Sequence, residues 1–345
     1  MENSDKLVLV TGGSGFVGGH CILQLLEKGY QVRATIRSIH KKDAVIEMLK
    51  NEGINSFERL SFVETDLSDD KNWDEATKGC DYVLHIASPI HLEILKDENE
   101  MIQPAVEGTL RVLQASKNAG VKRVVMTSNF GAVGYSHKDP KTLITEESWT
   151  NPNEKGLSAY NKSKVMAEKS AWDFMRSNGG NLELTVINPV AIFGPALDKK
   201  LSSGFELLKN VVDGHMKAIP NIELAIVDVR DLADLHIKAM ENSKAKGERF
   251  LALCDGTMTL PEIAKFIKNQ NPAVFYKIST KIVPDWVVKI GALFNKKLKQ
   301  IKPLIGINRK ASNQKAKTVL GWNPRNKEEA ILATIESLQK FGNFK

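Results

Sequence analysis

The 345-residue sequence predicts an α/β protein: a doubly wound parallel sheet followed by a smaller, mostly helical C-terminal domain. Three observations predict it. Short apolar runs alternate with amphipathic stretches through the first 190 residues. The first run breaks into glycines spaced to open a helix. After Pro195 the rhythm changes.

In chain order, Leu7–Thr11, Gln31–Ile36, Leu60–Val63, Tyr82–Ile86, Arg123–Thr127 and Glu183–Asn188 read as strands, because each is a short apolar or β-branched run. Between them Phe16–Lys28, Lys42–Glu52, Asp97–Ala119 and Ser158–Ser177 carry helical periodicity. Beyond Pro195 come isolated helices near Arg230–Asn242, Leu260–Asn269 and Lys327–Phe341, with one or two strands between them. This places a domain over residues 1–195, to which some later segments return, and a mainly substrate-binding region over 196–345. No repeat, low-complexity tract or Gly/Ser linker interrupts the chain.

With 42% apolar residues a chain this long can bury a large core. No stretch approaches the roughly 20 apolar residues that span a bilayer, and the short polar start leaves no room for a signal peptide. Cys21, Cys80 and Cys254 are scattered and odd in number, which argues against a disulfide framework and fits a reducing, cytoplasmic setting. None has metal-ligand spacing, so no metal is expected. From Asn271 onward 15 Lys/Arg face 4 Asp/Glu, a local charge of +11 against −4 for the rest. That could form a nucleic-acid or anionic-membrane patch. A solvated basic face that attracts a phosphate-bearing cofactor is the simpler reading, since no nucleic-acid motif accompanies it. Neither nucleic acid nor membrane is expected as a partner, and the chain is taken as a monomer or homodimer acting on a small molecule.

The strongest local signal is Val8-Leu9-Val10-Thr11-Gly12-Gly13-Ser14-Gly15-Phe16-Val17-Gly18. Gly12 permits a tight turn, Gly15 lets the backbone approach a pyrophosphate, and Gly18 allows close helix packing on the sheet. The helix N-terminus attracts the negative charge. In this strand–turn–helix context the glycines point to a dinucleotide on a Rossmann-type sheet, with Gly12, Ser14, Gly15, Phe16, Val17 and Gly18 along it. An NAD enzyme places an acid about 20 residues on, for the ribose hydroxyls. Here Arg37 ends the second strand, with Lys41 and Lys42 close behind. A guanidinium pairs with a 2′-phosphate that a carboxylate would repel, so NADP(H) is expected. An ordinary basic surface cluster is the alternative. Asp66 and Leu67, after the third strand, are placed near the adenine, and Ala87, after the fourth, is small enough to let the cofactor pass.

Tyr160-Asn161-Lys162-Ser163-Lys164 supplies the catalytic candidate. On a helix Tyr160 and Lys164 share one face a turn apart. A phenol with a pKa of about 10 donates a proton poorly at neutral pH. An adjacent ammonium stabilises the phenolate, and lowering the phenol by about three units takes about 4 kcal/mol. A buried tyrosine beside a surface lysine is the bland alternative.

With these motifs the chain resembles the extended short-chain dehydrogenase/reductases, and within them the dihydroflavonol reductase, cinnamoyl-CoA reductase and aldehyde/methylglyoxal reductase branch. Further matching pieces span nearly the whole chain: Val32–Arg37, His85-Ile86-Ala87-Ser88-Pro89, Pro104–Thr109, Asn188-Pro189-Val190, Phe193-Gly194-Pro195, Val227–Ala233, Leu320-Gly321-Trp322 and Thr334–Leu338. The resemblance implies that Tyr160 is the general acid and that Lys164 lowers its pKa and holds the nicotinamide ribose. It also implies that Pro189 and Ile192 line the nicotinamide, that Ser203 lies near the phosphates, and that Arg37 with Lys41 or Lys42 holds the 2′-phosphate. The family reads Thr-Ser-Ser after the fifth strand, whereas this chain reads Thr127-Ser128-Asn129. Asn129 therefore stands where a serine usually binds the substrate carbonyl. Its amide N–H₂ can donate in the same way, or Ser128 takes the role.

The sequence thus points to NADPH-dependent reduction of an aldehyde or ketone. Two other readings stand beside it: a catalytically weak NADP(H)-binding regulator or sensor, and an NAD-dependent sugar-nucleotide epimerase or dehydratase, against which Arg37 speaks. Pocket residues are expected from Ile90–Glu93, Phe205–Met216 and the helices around Trp286.

Overall fold

The computed structural model describes residues 3–89, 97–199 and 202–342. The strands are β1 (Leu7–Val10), β2 (Gln31–Ile36), β3 (Leu60–Glu64), β4 (Tyr82–His85), β5 (Arg123–Thr127), β6 (Glu183–Pro189), β7 (Ala191–Phe193), β8 (Ile219–Pro220), β9 (Glu223–Asp228), β10 (Arg249–Ala252), β11 (Thr257–Thr259) and β12 (Ile282–Val283). The helices are α1 (Phe16–Glu27), α2 (Lys42–Lys50), α3 (Trp73–Thr77), α4 (Asn99–Asn118), α5 (Ala159–Asn178), α6 (Ser203–Val212), α7 (Val229–Glu241), α8 (Leu260–Gln270), α9 (Asp285–Gly291), α10 (Lys296–Ile301), α11 (Gln314–Leu320) and α12 (Lys327–Lys340).

Seven strands form one parallel sheet in the order β10-β6-β5-β4-β1-β2-β3. A parallel sheet is covered on both faces, which is why its strands read as continuous apolar runs. Alternation sorts their side chains. Leu9, Val83, Val124 and Val186 pack with Val112 and Leu113 of α4 and Ala167 and Ala171 of α5. Val8, Val10, Leu84, Val125 and Ile187 face the other way, onto Ile22 and Leu25 of α1 and Leu232 and Leu235 of α7. The order reverses between β1 and β4. Connections leave those two strands toward opposite faces, and a crevice opens beyond their C-terminal ends.

The doubly wound sheet and the helical C-terminal region agree with the sequence, and the first six strands match within a residue or two. The region after Pro195 holds more strands than expected. β8 to β12 replace the one or two anticipated, and β10 returns to extend the main sheet beside β6. At two to six residues each, these strands are too short to show a period. A third cluster lies among β7, α6, β9, α8 and α12, where Phe193, Phe205, Ile226, Ile263 and Ile331 are fully buried. No helix among the described residues is long and apolar enough to cross a membrane.

Candidate active site

The glycine turn leaves β1 exactly where the crevice opens, and its geometry requires glycine. Gly12 has φ +70°, and a Cβ there would sit 3.2 Å from Ala87. A Cβ on Gly18 would come within 2.3 Å of the Gly12 carbonyl oxygen. This corrects one expectation: Gly18 makes room for the turn itself rather than for the sheet, because the first turn of α1 folds directly over the loop. Gly15 caps α1 with no side-chain hydrogen bond, so no side chain of the cap claims the helix's first N–H groups. Ser14, Phe16 and Val17 are half-buried along this turn. The Phe16 ring meets His20 and Phe205 edge-on, at 5.6 and 5.3 Å between centroids.

Thr11 ties the ends of β1 and β4 together. Its hydroxyl oxygen accepts the N–H groups of Ile86 and Ala87, both at 2.9 Å, and its own proton goes to His85 Nδ1 at 3.1 Å. Burial, aided by the nearby Lys164 charge, pulls His85 down to about 3, so the imidazole is neutral and carries its hydrogen on Nε2. Leu67, His85, Ala87, Thr127 and Lys164 line one small cavity. The absence of a side chain at Gly108 admits Leu67, whose Cβ would lie 2.8 Å from a Cβ there.

At the other end of the crevice Arg37 is exposed just past β2, Lys41 stands at the N-cap of α2 and Lys42 begins that helix. The Lys42 ammonium lies 6.0 Å from the centre of the Phe62 ring. Hydrogen bonds from the Ser68 N–H and hydroxyl hold the Asp66 carboxyl below its usual range, and Arg37 adds to the effect.

Ser158 caps α5 by accepting the Asn161 N–H at 3.2 Å. That sets Tyr160 in the first turn and Lys164 one turn on, with the ammonium 5.8 Å from the centre of the phenol ring. Lys164 is 6% exposed, and among the described residues Nζ has no hydrogen-bond or ion-pair partner. Burial drops it to about 8, partly offset by Glu168 one turn further on. The Asn129 side chain lies beside the Tyr160 oxygen and favours the phenolate. Burial nevertheless outweighs that effect and holds the phenol above its ordinary value, with Tyr135 contributing in the same direction. The expected lowering of Tyr160 by Lys164 is therefore not present. Desolvation penalises both charged forms at once, the phenolate and the ammonium.

Ser128 is buried, and its hydroxyl has no partner among the described residues. Thr127 lines the cavity, but its hydroxyl is engaged. It lies 2.7 Å from His236 Nε2, while His236 Nδ1 lies 2.7 Å from the Leu232 carbonyl. That carbonyl can only accept, so Nδ1 donates to it and Nε2 accepts the threonine proton.

Several residues escaped the sequence reading. Glu168 is fully buried and accepts from Arg249 Nε at 2.6 Å and Asn188 Nδ2 at 2.8 Å. Asn188 also donates to the Asn129 carbonyl at 3.3 Å. The four-residue step from Tyr160 to Lys164 to Glu168 was the signal for this anchor. Gly131 lets α5 approach the Asn129 loop, since a Cβ there would strike Asn161 Oδ1 at 2.3 Å. Pro189 is buried at the end of β6 and Ile192 half-buried in β7. Ser203 opens α6, but its side chain lies outside the described residues, as do Ile90–Glu93. Phe205, Leu208 and Val211 are core rather than pocket lining, because the apolar face of α6 turns inward. Trp286 is 65% exposed.

The sequence profile of the 3-beta hydroxysteroid dehydrogenase/isomerase family matches residues 9–293. The chain is 32% identical over 350 residues to a cinnamoyl-CoA reductase of Medicago truncatula, with 99% of each chain covered. It is 38% identical over 292 residues to a putative NADPH-dependent methylglyoxal reductase of Candida albicans, covering 78% of this chain and 84% of that one. The crystal structure of a yeast methylglyoxal/isovaleraldehyde reductase complexed with NADPH matches with a TM-score of 0.80 at 28% identity, over 98% of this chain and 99% of that one. The glycine turn, the Tyr160/Lys164 helix and these matches agree: the chain belongs to the 3-beta hydroxysteroid dehydrogenase/isomerase family, within the extended short-chain dehydrogenases/reductases.

Proposed function

We propose that the protein reduces an aldehyde or ketone to the alcohol, with NADPH as hydride donor and Tyr160 as proton donor. The observation that carries this reading is the meeting of three side chains: the Tyr160 phenol, the Asn129 amide beside it, and the Lys164 ammonium a turn away. Relatives named as reductases support it.

NADP(H) fits the residues present. The space a Cβ would fill at Gly12 and Gly18, the first turn of α1 and the exposed Arg37 form a cradle for a pyrophosphate and a 2′-phosphate. When bound, the cofactor supplies a hydride to the carbonyl carbon. Asn129 and Ser128 orient and polarise the carbonyl oxygen by donating to it. Tyr160 delivers its phenolic proton to that oxygen as negative charge develops there. Lys164 then stabilises the phenolate left behind, and Pro189 and Ile192 keep water from the reacting face.

The test is a panel of aldehydes, ketones and diketones, followed by loss of reduced-nicotinamide absorbance with NADPH and with NADH. Turnover with NADPH is expected. NADPH binding without turnover of any member would instead favour the sensor reading.

A further inference from the structure

Three arginines are buried among the described residues, and they differ in one respect. Arg123 pairs with Glu183 and Arg249 with Glu168, each at 2.6 Å. Arg309, 9% exposed, has no carboxylate within ion-pair distance among the described residues, and its buried Nε has no acceptor. What it does have is two aromatic rings. The guanidinium carbon lies 5.0 Å from the Tyr135 ring centre and 5.2 Å from that of Phe130, and Nη2 donates to the Tyr135 hydroxyl at 3.2 Å.

The backbone holds this residue firmly. Lys310 accepts the Ile144 N–H at 2.9 Å, Ser312 donates to the Ile144 carbonyl at 3.0 Å, and Asn308 donates to the carbonyls of Asp139 and Thr142. A planar cation fixed in this way, desolvated and short of an anion, is a preformed receptor for a carboxylate. Its place matters as much as its chemistry. Phe130 follows Asn129 directly, and the Tyr135 phenol is close enough to Tyr160 to push it upward.

We propose that Arg309 and Tyr135 form a substrate subsite for a carboxylate, so that the preferred carbonyl substrates are oxo acids whose acid group lies a few bonds from the reacting carbonyl. This rests on the reductase reading for its catalytic consequence, though not for binding. The guanidinium engages the carboxylate, and the Tyr135 hydroxyl adds a second donor. The Phe130 and Tyr135 rings hold the cation between them.

The experiment compares 4-oxopentanoate with its methyl ester, in the unaltered protein and in the Arg309→Met, Arg309→Lys and Tyr135→Phe variants. The acid is expected to be preferred about tenfold or more in kcat/KM, mainly through KM. Arg309→Met should erase that preference while leaving the ester within about twofold. Arg309→Lys should keep part of it, and Tyr135→Phe most of it. Equal losses on acid and ester would mark Arg309 as structural and overturn the proposal, as would no preference in the unaltered protein. Pentanoate, which cannot be reduced, supplies a readout independent of turnover. It should raise the melting temperature of the unaltered protein and not that of Arg309→Met. If that protection appears and no carbonyl is reduced, the subsite stands and the reductase reading falls. If carbonyls are reduced without that protection, the reverse holds.

Discussion

Replacing Lys164 by Met should make the protein more stable and nearly inactive. Lys164 is 6% exposed, its ammonium makes no hydrogen bond or ion pair among the described residues, and its pKa is lowered from 10.5 to about 8. The unfolded chain binds that proton more tightly by about 2.5 pH units, at about 1.4 kcal/mol each. Keeping Lys164 charged in the native state therefore costs about 3 kcal/mol, and its near-complete burial leaves little solvent to screen that cost. The sign follows from the depressed value. Below about pH 8 both states are protonated and the cost is present in full. Between about 8 and 10.5 the native state has lost the proton and the unfolded state still holds it, so the cost fades as pH rises. Methionine keeps the volume and carries no charge. Urea unfolding of both proteins at pH 7 and near pH 11 measures the difference. The variant should gain up to about 3 kcal/mol at pH 7 and nothing near pH 11. A loss of stability at pH 7, or an equal gain at both values, would refute the reasoning. His85 gives a second readout: with the nearby charge gone, its NMR titration should move up from about 3.

Other outcomes follow from the same geometry. Arg37→Asp should invert or abolish a preference for NADPH over NADH of about tenfold or more in kcat/KM, and equal use of both cofactors by the unaltered protein would refute the 2′-phosphate assignment. Gly18→Ala places a methyl 2.3 Å from the Gly12 carbonyl, so NADPH affinity by calorimetry should fall at least about tenfold, with about 1–3 kcal/mol lost in stability. Tyr160→Phe should lower kcat about 10²-fold or more and leave cofactor binding largely intact. Asn129→Ala should cost about 10²-fold in kcat and Asn129→Ser much less; a crippling Ser128→Ala beside a harmless Asn129→Ala would move the carbonyl donor back one residue.

The fold was legible where strands were long enough to show their pattern. β2 and β5 matched residue for residue, because each is five or six residues long and rich in β-branched types, Val32, Thr35 and Ile36 in one and Val124, Val125 and Thr127 in the other. β10 was not legible. Its four residues, Arg249 to Ala252, include no β-branched type, and only Glu168, 81 positions earlier, explains why the arginine is inside. Trp322 is a similar case. It fills the core beside α7 by donating to the Asp231 carbonyl at 2.9 Å, a contact no local period announces.

In the site, residue identities were legible and their electrostatics were not. The step from Tyr160 to Lys164 gives the pairing but not the desolvation that acts on both. That desolvation suits the proposed reaction better than the expected lowering of the phenol. A proton donor must hold its proton until charge builds on the substrate oxygen, and burial keeps Tyr160 protonated across the working range. The burden then falls on what stabilises the phenolate afterward. Asn129 already favours charge on that oxygen, and Lys164, about 8, is mostly charged at neutral pH. Activity should therefore fall as pH rises through about 8, as the ammonium loses its proton, and not near 10, where a free phenol would titrate. A basic limb near 10 in the kcat profile would instead mean that Tyr160 works without its lysine.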